Sequence, residues 1–295
     1  MSDHDALEAT IEQLWIYPVK SCAGIAVREA ELTDTGLLYD RAWMVVDSDG
    51  EFVSQRELPR MALIQPGFKM GQLVLRAPGM LSLHLELAAA EFQTTARVWR
   101  DEVAAWDMGD LAAQWFSDFL GADAPDNLKR LRLVRFDPEV KRPSDPKWTG
   151  GREAGTQFAD GFALLVTSAA SLDELNQRLT AGGHAPVDQR RMRPNIVLAG
   201  VQAHDEDRVE QLQIATGEDA SALIAPVKPC SRCPIPDIDP DTATPGTAVG
   251  DTLRGYRADA RVKGAITFGM NAIVLDGDGQ VLRVGQRVTG DWRFD

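Results

Sequence analysis

The sequence predicts a mixed, β-rich (α+β) fold made of two barrel-like domains with peripheral helices. Short apolar runs separated by Gly, Asp and Pro turns recur in both halves, helical periodicity is sparse, and a Pro-, Gly- and charge-rich stretch divides the halves. With 295 residues, the chain can bury a core in each half without covalent staples.

Taken in order, residues 11–16 form an apolar stretch that ends at the turn Tyr17-Pro18-Val19-Lys20-Ser21-Cys22. Residues 42–47 and 51–54 flank Ser48-Asp49-Gly50 and predict a hairpin. Further strands are expected at Leu73-Val74-Leu75 and at residues 81–85. A helix is predicted over 111–120, capped by Asp110, with Leu111, Trp115 and Phe119 on its core face and Gly121 as its stop. Pro138, Pro143, Pro146 and Gly150-Gly151 then mark a connection, which sets domains at 8–140 and 150–290. Beyond it, residues 162–166 suit a buried strand. Residues 168–179 suit a helix with Leu172, Leu175 and Leu179 on one face, capped by Ser168 or by the capping-box pair Ser171 and Glu174. Residues 195–198 read as a buried strand, and 272–275 with 280–284 as a hairpin across Asp276-Gly277-Asp278-Gly279.

Hydrophobic residues make up 44% of the chain and charged ones 25%, the balance of a folded globular protein. A net charge of −13 excludes a general nucleic-acid or anionic-membrane surface, so any bound anion must meet a local basic pocket. Residues 1–6 resemble neither a secretory signal nor a transit peptide, and no run approaches the roughly 18 apolar residues of a spanning helix; a cytoplasmic location is expected. Three cysteines, Cys22, Cys230 and Cys233, do not form a disulfide framework and are too few for a cluster held by four thiolates.

Cys230-Ser231-Arg232-Cys233 lies between prolines, with Arg232 placed to favour a thiolate. A thioredoxin-like motif would open a helix, whereas Pro234, Pro236 and an acidic run follow here. A structural zinc site lacks a second close ligand pair, because His4, His84, His184 and His204 are scattered. A soft metal arriving with its own organic chelate needs only one cysteine and, if that chelate carries phosphate, basic side chains and free N–H groups. Lys20 and Ser21 on their turn, Arg41 at the lip of a strand, and the cluster Arg190-Arg191-Met192-Arg193-Pro194-Asn195 are the candidates. Gln55-Arg56 reads as a further basic loop or, more blandly, a solvated hairpin edge, and Cys22 as a small buried apolar residue.

Six ordered motifs carry a resemblance across nearly the whole chain: YPVKSC (17–22), GLLYDRAWMVVD (36–47), SQRELPRMALI (54–64), SLDELN (171–176), RPNIVL (193–198) and PCSRCPIPDIDPDT (229–242). They resemble molybdenum cofactor sulfurase C-terminal (MOSC) domain proteins with the preceding MOSC N-terminal β-barrel domain. Within that family, the mitochondrial amidoxime-reducing components and bacterial counterparts reduce N-hydroxylated compounds.

The resemblance implies a molybdenum cofactor (Mo-molybdopterin) with Cys233 as metal ligand. It also implies cofactor contacts from Lys20, Ser21, Arg41, Thr167, Ser168, Arg193, Asn195 and Ser231; for the reduction itself, Asp237 or Asp239 is expected either to shuttle protons or merely to contact solvent. Residues 234–240 depart from the Thr-Thr-Val-Asp-Pro of animal relatives, which bears on substrate contacts. No ferredoxin-like domain is appended, so a separate electron donor of ferredoxin or flavin-reductase type is implied, along with a small N-hydroxylated substrate. The alternative is a cofactor carrier or sulfur-transfer accessory with a persulfide on Cys230 or Cys233; a third reading is a β-barrel binding protein without metal.

Overall fold

A computed structural model of the chain describes residues 6–293 apart from Ala90 and Asp123. Residues 1–5, most of the stretch expected to carry no targeting signal, lie outside the described residues. β1 (Leu7–Ile16) alternates buried and exposed side chains along its first half, the signature of a strand with one face on a core. Four strands, β2 (Trp43–Val46), β3 (Phe92–Val98), β4 (Asp101–Asp107) and, after helix α1 (Asp110–Leu120), β5 (Arg132–Phe136), form an antiparallel sheet in the order β2-β5-β4-β3. Gln65–Lys69, Gln72–Arg76 and Leu83–Glu86 make a three-stranded meander. Trp43, Val45, Met61, Leu73, Phe116 and Phe119 pack into one core beneath these elements, with Cys22 inside it.

After the short helix α2 (Pro146–Thr149) come β6 (Leu164–Ser168), α3 (Ala169–Ala181), β7 (Ile196–Ala199), β8 (Val209–Ala215), β9 (Ser221–Ser231), α4 (Ala248–Arg254), β10 (Ala265–Asp276) and β11 (Arg287–Trp292). With β1 these strands close a seven-stranded barrel in the order β6-β7-β1-β11-β8-β9-β10, with β10 returning to pair with β6. Closure leaves this ring without an open edge. Only β6 and β7 are parallel, and α3 supplies the crossover that parallel neighbours need. All five residues of β6 are buried, and the strand sits two residues beyond the expected apolar run at 162–166 because the polar Thr167 and Ser168 are buried in it as well. Leu14, Val166, Ile196, Leu212, Ile224 and Val288 fill the barrel.

The barrel revises several sequence expectations. β1 and Glu29–Thr33 pair with strands of the C-terminal half, so the division at residues 140–150 separates the chain but not the sheet. Val281–Arg283 pairs with Glu29–Thr33 rather than folding back on β10, because a long-range partner captures it beyond the turn. The segment after Ser48-Asp49-Gly50 does return onto β2, where Val53 N–H donates to Val45 O at 2.9 Å, but the full ladder of β2 runs with β5. Gly109 rather than Asp110 occupies the N-cap of α1; Asp110 pairs with Arg132, and Leu111 is 71% exposed while Phe116 takes its place in the core. Ser168 caps α3, its Oγ accepting the Ser171 N–H at 3.1 Å.

That cap leads into a buried acid. Ser168 and Ser171 Oγ lie 2.7 Å apart, and Ser171 Oγ donates to Glu206 Oε1 at 2.7 Å. Glu206 is fully buried, and its Oε2 has no partner among the described residues. Burial pushes its carboxyl up to about 7, against the pull of the Ser171 hydrogen bond. The folded protein therefore holds a proton here that the unfolded chain releases near pH 4.5, and stability falls as pH rises from there through about 7. Glu206→Gln should abolish this loss. Urea unfolding at pH 5 and pH 8 should show the variant gaining about 3 kcal/mol on the wild type at the higher pH, whereas parallel pH profiles would contradict the assignment.

Candidate functional site

A single cleft gathers Lys20, Ser21, Arg41, Arg193, Asn195, Ser231 and Cys233, from the turns following β1, preceding β2 and preceding β7 and from the end of β9. Its lining carries five cationic side chains, Lys20, Arg41, Arg56, Arg193 and Arg232, against one carboxylate, Asp160. In a chain of net charge −13 this is a concentrated positive field. Ser21, Arg41 and Arg193 all hold left-handed backbone, with φ of 66°, 50° and 58°. Side chains with a Cβ pay for that conformation, and it persists where surrounding structure over-determines it.

Tyr17 provides that over-determination. The guanidiniums of Arg41 and Arg193 each lie 4.3 Å from the centroid of its buried ring. A Cβ on Gly24 would come within 2.4 Å of the same ring, so only glycine fits there. Asp40 binds the Tyr17 N–H (2.8 Å) through Oδ1 and Arg41 Nη1 (2.5 Å) through Oδ2. Arg41 also donates to Asn195 Oδ1 (3.1 Å) and Arg193 O (3.1 Å), and Arg193 Nη1 donates to Cys22 O at 2.7 Å. Asn195 Oδ1 also accepts from Leu165 N–H and its Nδ2 donates to Trp15 O, so the side chain is held in place to position Arg41. Burial lowers Arg193 to about 10, and the like charge of Arg41 adds to the shift.

On the opposite wall Lys20 Nζ donates to Phe158 O (2.8 Å) and to Asp160 Oδ1 (2.5 Å). Burial draws the Lys20 pKa down, and Asp160 restores only part of it. Crowding in the cleft pulls the Asp160 carboxyl up, but the Lys20 ammonium overcomes this and holds it well below the usual carboxylate range. Water still reaches Asp160, which is 70% exposed.

Strand β9 delivers the cysteines. Pro226 and Pro229 cannot serve a regular ladder, and its register with β10 shifts beside each. Opposite the second shift stands Gly269, at φ 72°, where a Cβ would meet Val166 O at 2.6 Å. Cys230 and Cys233 are partly exposed in the cleft. Arg232 Nη1 lies 3.1 Å from Cys230 Sγ, and its Nη2 donates to Met192 O at 2.9 Å. Cys22 sits in the core, where burial pushes its thiol up to about 12, so it behaves as a small apolar residue.

Four sequence-predicted residues lie elsewhere. Thr167 and Ser168 are fully buried, bonded to Gln189 and Ser171. Asp237 Oδ1 accepts the N–H groups of Val249 and Gly250 in the first turn of α4, and Asp239 pairs with Arg191 at 3.0 Å. Both aspartates anchor the loop after Cys233, and neither belongs to the cleft lining. Sequence reasoning missed Tyr17 and Asp160, and it left Arg56, which lines the cleft, open between a basic loop and a solvated hairpin edge. Tyr17 sat within a quoted motif, but residues 158–162 carry no local signal of a site.

Residues 8–123 match the model of the MOSC N-terminal beta barrel domain, and residues 154–289 match that of the MOSC domain. The chain is 35% identical to mitochondrial amidoxime reducing component 2 of Bos taurus and 34% identical to mitochondrial amidoxime-reducing component 1 of Homo sapiens, in both cases over 84% of this chain and 72% of the relative. It is also 31% identical to molybdenum cofactor sulfurase of Oryza sativa subsp. japonica, over 94% of this chain and 35% of that protein.

Asp40 is the buried counter-ion of the Tyr17 cluster. Asp40→Ala should cost about 3 kcal/mol or more in urea unfolding, because it strands buried positive charge. Asp241→Ala, which breaks the exposed pair with Arg190, should cost less than about 1 kcal/mol. Equal small losses would show that Asp40 does not hold the cluster together.

Proposed function

The chain belongs to the family of the amidoxime-reducing components, built from a MOSC N-terminal β-barrel domain and a MOSC domain, and on that premise we propose that it is a molybdenum-cofactor-dependent reductase of N-hydroxylated compounds. The observation that carries this reading is the placement of Cys233 in a cation-lined cleft of an acidic protein.

The residues present fit such a group. Among the described residues no three His, Cys, Asp or Glu side chains are grouped as a bare ion would need. A metal that brings its own chelate needs only one soft ligand and a cradle for the chelate's phosphate. Cys233 would hold the metal. Lys20 has two of its three N–H bonds committed and keeps the third for an anion. The hydroxyls of Ser21 and Ser231 have no partner among the described residues, and Arg193 commits only Nη1. Arg41, positioned by Asp40 and Asn195, completes the cradle. Bound there, the cofactor would supply a two-electron redox centre for the reduction of an N–OH group.

Conversion of N–OH to N–H and water consumes two electrons and two protons. Asp160 is ionised at neutral pH, so it serves as counter-ion to Lys20 rather than as an acid. Protons enter with the water that reaches Asp160 at the cleft mouth. The electrons come from a separate donor protein of ferredoxin or flavin-reductase type. Among the described residues no helix is long and apolar enough to cross a membrane, and we place the protein in the cytoplasm.

One observation favours a second reading, sulfur transfer: Arg232 lies on Cys230 in the same cleft, and the chain is similar to a molybdenum cofactor sulfurase. Protein from a molybdenum-replete host, given a strong artificial electron donor, separates the two. The reductase should retain molybdenum and consume N-hydroxylated substrate, whereas the sulfur-transfer protein should yield labile sulfur without turnover. Cys233→Ser should lose both metal and activity. Arg193→Gln should lower molybdenum content about tenfold, the worth of one charge-assisted hydrogen bond. Full molybdenum and activity in Cys233→Ser would overturn the ligand assignment.

A further inference from the structure

Arg56 lines the cleft but takes no part in the cradle around Tyr17. Its guanidinium lies 4.7 Å from the Trp99 ring centroid and 5.6 Å from that of Phe52, two rings that are themselves 4.9 Å apart. Its Nε donates to Ser54 Oγ at 3.0 Å and pairs with Glu57 Oε1 at 3.7 Å, while among the described residues neither Nη has a hydrogen-bond partner. The other cleft arginines donate through Nη to protein groups. Stacking uses the face of a guanidinium and leaves its in-plane fork available for a carboxylate.

The platform is rigid. Trp99 stands at the β3–β4 turn with φ 58° and is 46% exposed, yet its indole N–H donates to Asp160 Oδ1 at 3.2 Å. The hairpin below it is tied to residues 50–52 by Arg97 N–H to Gly50 O (2.8 Å) and Phe52 N–H to Arg97 O (3.1 Å), and to Arg142 through Asp101 (2.7 Å). A large aromatic side chain held at a cleft mouth in left-handed backbone is a functional feature to be accounted for.

We propose that Arg56, presented on the Phe52–Trp99 pair, is a specificity-determining residue that selects planar N-hydroxylated substrates bearing a carboxylate. This rests on the reductase reading above. The ring of such a substrate meets the aromatic lip while its carboxylate takes the Arg56 fork, which brings the N–OH group into the cleft that holds Cys233.

The test compares benzamidoxime with 4-carboxybenzamidoxime on the molybdenum-loaded protein, using kcat/KM for turnover and calorimetric titration for binding. The wild type should prefer the carboxylate. Arg56→Gln should lower the ratio of the two kcat/KM values about tenfold through KM, Arg56→Lys should recover part of it, and Trp99→Ala should raise KM for both probes. A ratio that ignores Arg56 while both probes are reduced would overturn the proposal and leave the reductase reading standing. Reduction of neither probe, even where the carboxylate still binds through Arg56, would defeat the reductase reading and with it the role of Arg56 as a substrate selector.

Discussion

The cleft depends on two arginines sharing one tyrosine. Arg41 and Arg193 approach the same buried ring, repel each other, and have Asp40 as their nearest carboxylate. Ring quadrupole, carboxylate and backbone carbonyls together make the arrangement tolerable. Each arginine arrives on a left-handed turn, so the guanidiniums are fixed from both the backbone and the side-chain end. The unspent donors of Arg193, with Lys20 and the Ser21 and Ser231 hydroxyls, are what remains for an anion.

The same interaction joins the two halves of the chain. Tyr17 follows β1, Arg41 precedes β2, and Arg193 precedes β7, so one ring gathers segments from a barrel strand, the N-terminal sheet and the parallel crossover. The barrel makes that convergence possible, since β1 crosses into the C-terminal half and carries the 17–22 turn to the mouth where β9 ends in the cysteine loop. The proline-driven irregularity of β9 and the tight approach at Gly269 then aim Cys230 and Ser231 into the cleft.

Much of this was legible in the sequence where the signal is local. The buried strand at 162–166, the helix behind Ser168 and the basic runs at Lys20, Arg41 and Arg193 are each written in a few adjacent residues. The misreadings are long-range. Nothing near Asp276-Gly277-Asp278-Gly279 indicates that the returning strand will choose Glu29–Thr33, and nothing in residues 8–16 indicates a partner nearly two hundred residues on. Acidity near a cysteine is visible in sequence, whereas the bonds of Asp237 to the first turn of α4 and the pairing of Asp239 with Arg191 are not. Arg56 stayed open between a basic loop and a solvated edge because the rings beside it, Phe52 and Trp99, come from different segments of the chain.

The cleft also bears on selectivity: five cationic side chains converge there in a chain of net charge −13, which favours an anion in the cleft over the acidic surface around it. The central claim is that this cleft, organised on Tyr17, cradles a phosphate while Cys233 meets a metal. A crystal structure of the molybdenum-loaded protein tests it most directly. The account predicts a phosphate within hydrogen-bond reach of Arg193, Lys20 and Ser21, and the metal bonded to Cys233 Sγ. Molybdenum bonded elsewhere, or a phosphate outside this cleft, would contradict it.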